Sequence, residues 1–167
     1  EKGLAIITVK SALLNKKKDK QLYRKLDTHW NSHGAYEAYV AFCEASKREL
    51  ELNPFPRNAF EVTEKENKGG DLIGMIGSQT ALKTDLIPSY RLKDSTLDHL
   101  PIKIADKRAP LTTLNPHASN HKKVLIFRDS YSQALIQFFS LHYKEVVYIW
   151  GSYNLDTINN ENPDIVI

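Results

Sequence analysis

Four consecutive apolar residues, Val124-Leu125-Ile126-Phe127, run directly into Arg128-Asp129-Ser130, and a helical pattern follows. An apolar run with β-branched members reads as a buried strand. Asp129 and Ser130 then mark a turn and a helix start. From Gln133 to Tyr143 the apolar positions Ala134, Leu135, Phe138, Phe139 and Leu141 recur at helical spacing. A strand that feeds a helix through so short a turn is the strongest constraint in this chain. It points to a sheet with helices layered on it.

The rest of the chain continues that alternation. Leu4 to Val9 reads as a strand, Ser11 to Asn15 as a short helix or turn, and Leu22 to Trp30 as an extended segment. Gly34 to Leu50 is the clearest helix, with Ala35, Tyr36, Tyr39, Val40, Phe42 and Cys43 on one side. Asn53-Pro54-Phe55-Pro56 stops it. Phe60-Glu61-Val62 reads as a short strand and Lys65 to Gly70 as a polar loop. Leu72 to Ile76 reads as a short helix capped by Asp71 and ended by Gly77. Ser89 to Leu92 and Pro101 to Ile104 look like short strands in a hairpin-like excursion over about 86–121, and Thr112 to His121 is rich in turn formers. Val146 to Trp150 and Asp164 to Ile167 close the pattern as strands. The alternation predicts an α/β fold with a mostly parallel sheet, and 167 residues suit a single domain over 1–167 with a sizeable core. Both ends fall on apparent core strands, so an incomplete domain lacking an N-terminal segment is expected.

Composition narrows the function classes. An apolar content of 41% is too high for a disordered chain. No apolar run approaches the roughly 18 residues of a membrane span. The net charge of +3 is mild. The lysines at Lys16-Lys17-Lys18, Lys20 and Lys122-Lys123 read as solvated loops, without the aromatic-laced basic face of a nucleic-acid partner. The single cysteine, Cys43, excludes an internal disulfide and reads as a small core residue. The chain starts at Glu1 rather than Met, so its native start is expected upstream, and no conclusion follows from the missing signal.

The chemistry concentrates in Asp27-Thr28-His29-Trp30-Asn31. In an extended segment residues i and i+2 share a side. Asp27 would then hold one ring nitrogen of His29 and leave the other as a base. Ser130, at the strand-to-helix junction, is the matching nucleophile, beside helix N–H groups able to donate to an oxyanion. That is the geometry of a nucleophile elbow, although the Gly-x-Ser-x-Gly form is absent. On spacing alone the plainer roles stay open: a loop-fixing pair for Asp27 and His29, and a helix N-cap for Ser130. Asp129 reads as a cap that shapes the turn. Asn31 has two readings, oxyanion donor or brace of the His29 loop. Trp30 is either packing or a stacking platform, and Arg128 and Tyr131 border the expected cleft as candidate contacts to an acyl donor or sugar. His29/His33 and His117/His121 have the His-x-x-x-His spacing of a zinc pair. Trp30 follows His29 where a metalloprotease carries Glu, and Asn115-Pro116 places the second pair in a loop. No metal and no organic cofactor is expected.

Several blocks together resemble a known family. Tyr23-Arg24-Lys25-Leu26-Asp27-Thr28-His29-Trp30-Asn31-Ser32-His33-Gly34-Ala35 is similar to the Asp-x-His-Trp block of the alginate O-acetyltransferase family. Gly69-Gly70-Asp71-Leu72-Ile73-Gly74-Met75-Ile76-Gly77 resembles its Gly-Asp-Leu segment. Phe127 to Ser132, with Phe138-Phe139 and Tyr148-Ile149-Trp150, resembles its nucleophile block, and Asn162 to Ile167 the strand after it. The order of the blocks matches, and they span most of the chain. The resemblance implies a three-layer SGNH-hydrolase-like fold and a Ser-His-Asp triad of Ser130, His29 and Asp27. It also implies acetyl transfer onto a cell-surface or secreted polysaccharide, in a periplasmic or cell-envelope setting among other polysaccharide-assembly proteins. An acetylesterase on the same triad and a non-catalytic glycan-binding module are the competing expectations. Arg128 departs from the pattern, since ordinary SGNH hydrolases have Gly there, and this leaves part of the oxyanion site unassigned.

Overall fold

Residues 6–78, 84–97 and 110–167 are described in the computed structural model. They divide into two units, Glu1–Arg91 and Leu92–Ile167.

In the first unit, α1 (Lys10–Lys16) follows the irregular segment Ile6 to Val9. The strand expected over Leu4 to Val9 is therefore not formed by its described part, and Leu4 and Ala5 lie outside the described residues. Ile7 and Val9 line a groove of about 830 Å³ with Leu13, Leu22 and Trp30, so contact with a helix and loop takes the place of a neighbouring strand. Helix α2 (Ser32–Ala45) starts at Asn31, whose Oδ1 accepts from the backbone N–H of His33 at 2.9 Å and of Gly34 at 3.1 Å. This satisfies two of the donors that a helix start leaves open. Ala35, Tyr36, Ala38, Tyr39 and Cys43 form its buried face. Burial pushes the Cys43 thiol up to about 12, so it is a protonated core group at neutral pH.

The helix expected to run to Leu50 breaks at Ser46 and resumes as α3 (Lys47–Leu50). Ser46 Oγ donates to Phe42 O at 2.6 Å, a local bond that competes with the helical ladder. Glu51, in the left-handed region at φ 54°, ends α3. The chain then returns to α2, where Tyr36 Oη donates to Phe55 O at 3.0 Å and Tyr39 Oη accepts from Phe55 N at 2.8 Å. Strands β1 (Phe60–Asn67) and β2 (Asp85–Leu92) form a two-stranded sheet. β1 runs into the stretch expected as loop from Lys65. Its side chains after Phe60 are almost all exposed, so pairing rather than burial defines it, and no hydrophobic period announces it. Helix α4 (Asp71–Met75) lies between them.

His33, on the first turn of α2, sits in an aromatic cluster. Its Nδ1 accepts from Tyr90 Oη at 2.8 Å and contacts Arg57 Nη2 at 3.1 Å, while the Arg57 guanidinium lies over the Tyr36 and Tyr90 rings. Burial, then the charges of Arg57 and Lys20, pushes its pKa down from 6.5 to about 4. Between those values the unfolded chain binds a proton that the folded chain refuses, so stability falls on acidification from pH 6.5 towards 4 and is unaffected above 6.5. His33→Gln is expected to remove about 1 kcal/mol of the stability difference between pH 7 and pH 5 in urea unfolding. An unchanged difference would contradict this.

The second unit holds β3 (Leu111–Leu114), β4 (Asn120–Arg128), α5 (Ile136–Phe139), β5 (Tyr143–Trp150), α6 (Leu155–Glu161) and β6 (Ile165–Val166). The sheet order is β3-β5-β4-β6, with β4 parallel to both β5 and β6 and β3 antiparallel at the edge. The mostly parallel sheet matches expectation. β3 comes from the start of the stretch read as turns, and the turn itself is confined to Asn115 to Ser119. Buried Asn115 fixes it, donating to Leu141 O at 3.2 Å and accepting from His117 N at 3.1 Å. The expected strand Pro101 to Ile104 lies outside the described residues. Val124, Leu125 and Ile126 of β4 and Val146, Val147 and Tyr148 of β5 are buried consecutively, the mark of strands covered on both faces. The helix expected over Gln133 to Tyr143 is a 3-10 turn, Tyr131–Leu135, followed by α5, because Tyr143 is drawn into the sheet opposite Asn120. The mainly polar α6 starts on Asn154, whose Oδ1 accepts from Thr157 N at 2.9 Å. Among the described residues no helix is long and apolar enough to cross a membrane.

Candidate active-site residues

The Asp27–His29 segment is a tight loop rather than the expected extended strand. Tyr23 and Trp30 pair as an isolated antiparallel bridge, with Asn31 N donating to Leu22 O at 2.8 Å and Arg24 N to His29 O at 3.1 Å. Between these bonds the chain doubles back, and Asp27 folds over its own backbone. Its Oδ1 accepts from His29 N at 3.0 Å and lies 2.6 Å from His29 Nδ1. The pairing arises from a side-chain-closed turn, not from strand alternation.

Asp27 is buried and held from several sides. Arg24 Nη1 donates to its Oδ2 at 2.6 Å, and Asp71 N approaches the same oxygen at 3.4 Å. Burial raises the carboxyl pKa, but the hydrogen bonds from the His29 backbone and ring and the Arg24 charge outweigh it and hold Asp27 below the ordinary carboxylate value. An ionised Asp27 on Nδ1 selects the tautomer with the proton there and makes Nε2 the basic nitrogen of His29.

Residues that the spacing did not single out brace this loop. Asp71 reaches across to accept from Thr28 N at 2.7 Å and also bonds Thr28 Oγ1, and its Oδ2 is 3.7 Å from His29 Nδ1. Arg24 Nη2 donates to Gly69 O at 3.2 Å, tying the glycine segment to the loop. Gly70 packs directly on it: a Cβ there would fall 2.0 Å from Leu26 O and 3.1 Å from Asp27 Cβ. On the other side a Cβ at Gly34 would meet Leu22 O at 2.4 Å and Trp30 Cβ at 2.9 Å. Asn31 also braces the loop: besides capping α2, its Nδ2 donates to Gln21 O at 2.9 Å. Trp30 is half-buried and lines the groove beside α1. The one hint in the sequence was the Gly69-Gly70-Asp71 block, whose link to Thr28 spans 43 residues.

Asp27, His29 and Asp71 place ligand atoms within 4.8 Å of one another. The Asp27 oxygens already receive the Arg24 guanidinium and the His29 groups, and Asp71 receives Thr28. A cation would have to displace a guanidinium charge, so the arrangement suits a proton better than a metal. His33 Nδ1 is engaged by Tyr90 and Arg57, and His117 lies in the turn before β4 while His121 lies within β4.

Ser130 is exposed and sits just past the carboxyl end of β4, where the 3-10 turn begins. Asp129 caps that turn, its Oδ1 accepting from Tyr131 N at 3.0 Å and Ser132 N at 3.1 Å. Those N–H groups, expected as oxyanion donors, are thus committed to Asp129. Arg128 is buried at the last position of β4, with Nη1 donating to Gln133 Oε1 at 3.1 Å. Tyr131 is half-buried on the turn. The candidates therefore form two groups: Asp27, His29, Trp30 and Asn31 in the first unit, and Arg128, Ser130 and Tyr131 in the second.

Comparison with solved structures returns the same fold at low identity. A DHHW family protein from Eubacterium siraeum matches at 17% identity with a TM-score of 0.72, covering 96% of this chain and 62% of that one. Bacillus cereus PatB1, solved with a sulfonyl adduct, matches at 14% identity and 0.76, covering 99% and 65%. The O-acetyltransferase domain of Pseudomonas putida AlgJ matches at 21% and 0.50, covering 96% and 56%. This chain thus spans less than two thirds of the length of each of these relatives. Comparison with curated proteins gives no significant match. A family model described as the SGNH hydrolase-like domain of the acetyltransferase AlgX matches residues 1–139, and this chain, with its α/β fold and mixed sheet, belongs to that family.

Proposed function

We propose that this chain carries the catalytic residues of an O-acetyltransferase that moves an acetyl group onto a cell-surface or secreted polysaccharide. The observation that carries the reading is the 2.6 Å contact between Asp27 Oδ1 and His29 Nδ1, in a chain of the acetyltransferase family. His29 Nε2 takes the Ser130 hydroxyl proton as Ser130 Oγ attacks the acetyl carbonyl. Asp27 keeps the proton on Nδ1 and stabilises the imidazolium that forms. Collapse of the tetrahedral intermediate expels the donor's leaving group, which takes the proton from His29, and leaves acetyl-Ser130. A sugar hydroxyl then gives its proton to His29 and attacks the acetyl-serine, and the second tetrahedral intermediate collapses by breaking the bond to Ser130 Oγ, which takes the proton back from His29 as acetyl stays on the sugar. Water in place of the sugar would make the same machinery an acetylesterase. The polysaccharide acceptor places the reaction outside the cytoplasm, alongside other polysaccharide-assembly proteins.

PatB1 was trapped as a sulfonyl adduct, and the same chemistry tests the proposal here. Phenylmethylsulfonyl fluoride is expected to add one sulfonyl group, mapped by mass spectrometry to Ser130, with a much slower reaction in His29→Ala. Absence of an adduct at Ser130 in the folded protein, or an equal rate in His29→Ala, would sink the reading.

A further inference from the structure

β4 and β5 end side by side, with Arg128 opposite Trp150 in the register. Gly151 N closes the pair by donating to Arg128 O at 3.0 Å, and its φ of 120° is one that side-chain-bearing residues rarely adopt. β5 therefore turns away at this point, and a crevice of about 480 Å³ opens at the strand ends. That is within the range of roughly 300–1,000 Å³ of small-ligand sites. The carboxyl edge of parallel strands is where α/β sheets place ligands.

The lining has a definite chemistry. Trp150 and Phe127 supply aromatic surface, and Ser132, Ser152 and Asp129 supply hydroxyl and carboxylate oxygens. Trp150 is held in place before any ligand arrives, because the guanidinium of buried Arg128 lies 5.1 Å from its ring centroid. Tyr153, 62% exposed, tilts against Phe127 at a centroid distance of 5.7 Å. A fatty chain would find no continuous apolar wall here, and a free phosphate would face the Asp129 carboxylate. A pyranose ring fits both features: its C–H face packs on an aromatic ring while its rim hydroxyls bond to oxygen groups.

We propose that this crevice is a sugar-binding subsite for one unit of the acceptor polysaccharide, with Trp150 stacking on the ring and Ser132 and Ser152 bonding its hydroxyls. The assignment rests on the carbohydrate reading above, and binding tests it apart from catalysis. Titration calorimetry on the Ser130→Ala protein would use cellopentaose and pentagalacturonate as neutral and anionic probes. At least one is expected to bind. Trp150→Ala should weaken that binding by roughly tenfold, and Trp150→Phe by no more than about threefold, since it keeps an aromatic face. Ser152→Trp, at an exposed position, should fill the crevice and abolish binding without lowering the melting temperature. Unaltered binding in Trp150→Ala or in Ser152→Trp, with the parent melting temperature, overturns the assignment. So does a lack of binding to both probes. Trp150-dependent binding in a protein whose Ser130 resists sulfonylation would support the subsite and refute only the acetyl-transfer reading.

Discussion

Alanine at His29 is expected to lower turnover of a small acetyl ester by roughly 10³-fold or more, because in the proposed reaction one group serves as base in the first half and again in the second. Asp27→Asn is expected to cost a comparable amount, roughly 10³–10⁴-fold by the behaviour of other triads. The reason is tautomeric. In the native loop the Asp27 carboxylate can only accept, so His29 Nδ1 carries the proton across the 2.6 Å contact. An amide nitrogen turned toward the ring would instead donate, moving the ring proton to Nε2 and removing the basic position. Arg24 makes the substitution harsher, since its guanidinium, 2.6 Å from Asp27 Oδ2, would lose its counter-charge. The check is kcat/KM for the ester in both variants, with circular dichroism to confirm the fold. Retention of activity within about tenfold in both would remove Asp27 and His29 from the chemistry.

The second large effect is expected at a residue with no side chain to offer the chemistry. Gly70→Ala should destabilise the protein by about 2–3 kcal/mol, and should reduce activity by roughly 100-fold in the fraction that stays folded. The added methyl would fall 2.0 Å from the Leu26 carbonyl oxygen and against Asp27 Cβ, both parts of the loop that carries the Asp27–His29 pair. Neither a backbone oxygen nor a Cβ can swing aside as a side-chain tip can. Relief has to come from moving the loop or the glycine segment, and with it the Asp27–His29 geometry. Gly74, four residues on in α4, is the internal control. A Cβ there meets nothing within 4 Å, so Gly74→Ala should gain about 0.5–1 kcal/mol from the better helix former. Thermal melts of the two variants should move in opposite directions. A shift of the same sign in both would contradict the close-packing account.

These two expectations differ in how far the sequence foretells them. Asp27 and His29 are two residues apart, and their contact is local enough to be anticipated from spacing, although by the wrong conformation. Spacing suggested a strand, whereas a turn closed by the Asp27 side chain makes the contact. Gly70 and Asp71 are a different case. Their contacts to Leu26, Asp27 and Thr28 cross more than forty residues, and nothing in the local pattern of Gly69-Gly70-Asp71 says which loop they face. Asp71 read as a helix cap because that is the local use of an aspartate there. Tertiary contact draws it to Thr28 instead. The same rule explains the misread elements. β1 is exposed along nearly its whole length and carries no period, while β3 owes its strand character to pairing with β5.

What the sequence determined by itself is the set of features whose cause lies within a few residues. These are the apolar run of β4 ending in a capped turn at Asp129-Ser130, the helical pattern of α2 after Gly34, and the Asp27–His29 pair. Local sterics and hydrogen bonds are enough to specify each. Only the tertiary structure decided that Gly70 and Asp71 converge on the Asp27 loop, that Tyr143 joins the sheet instead of extending a helix, and that Arg128 is buried against Trp150. Each of these depends on which distant segment fills a given space, and that choice is made by packing the whole chain.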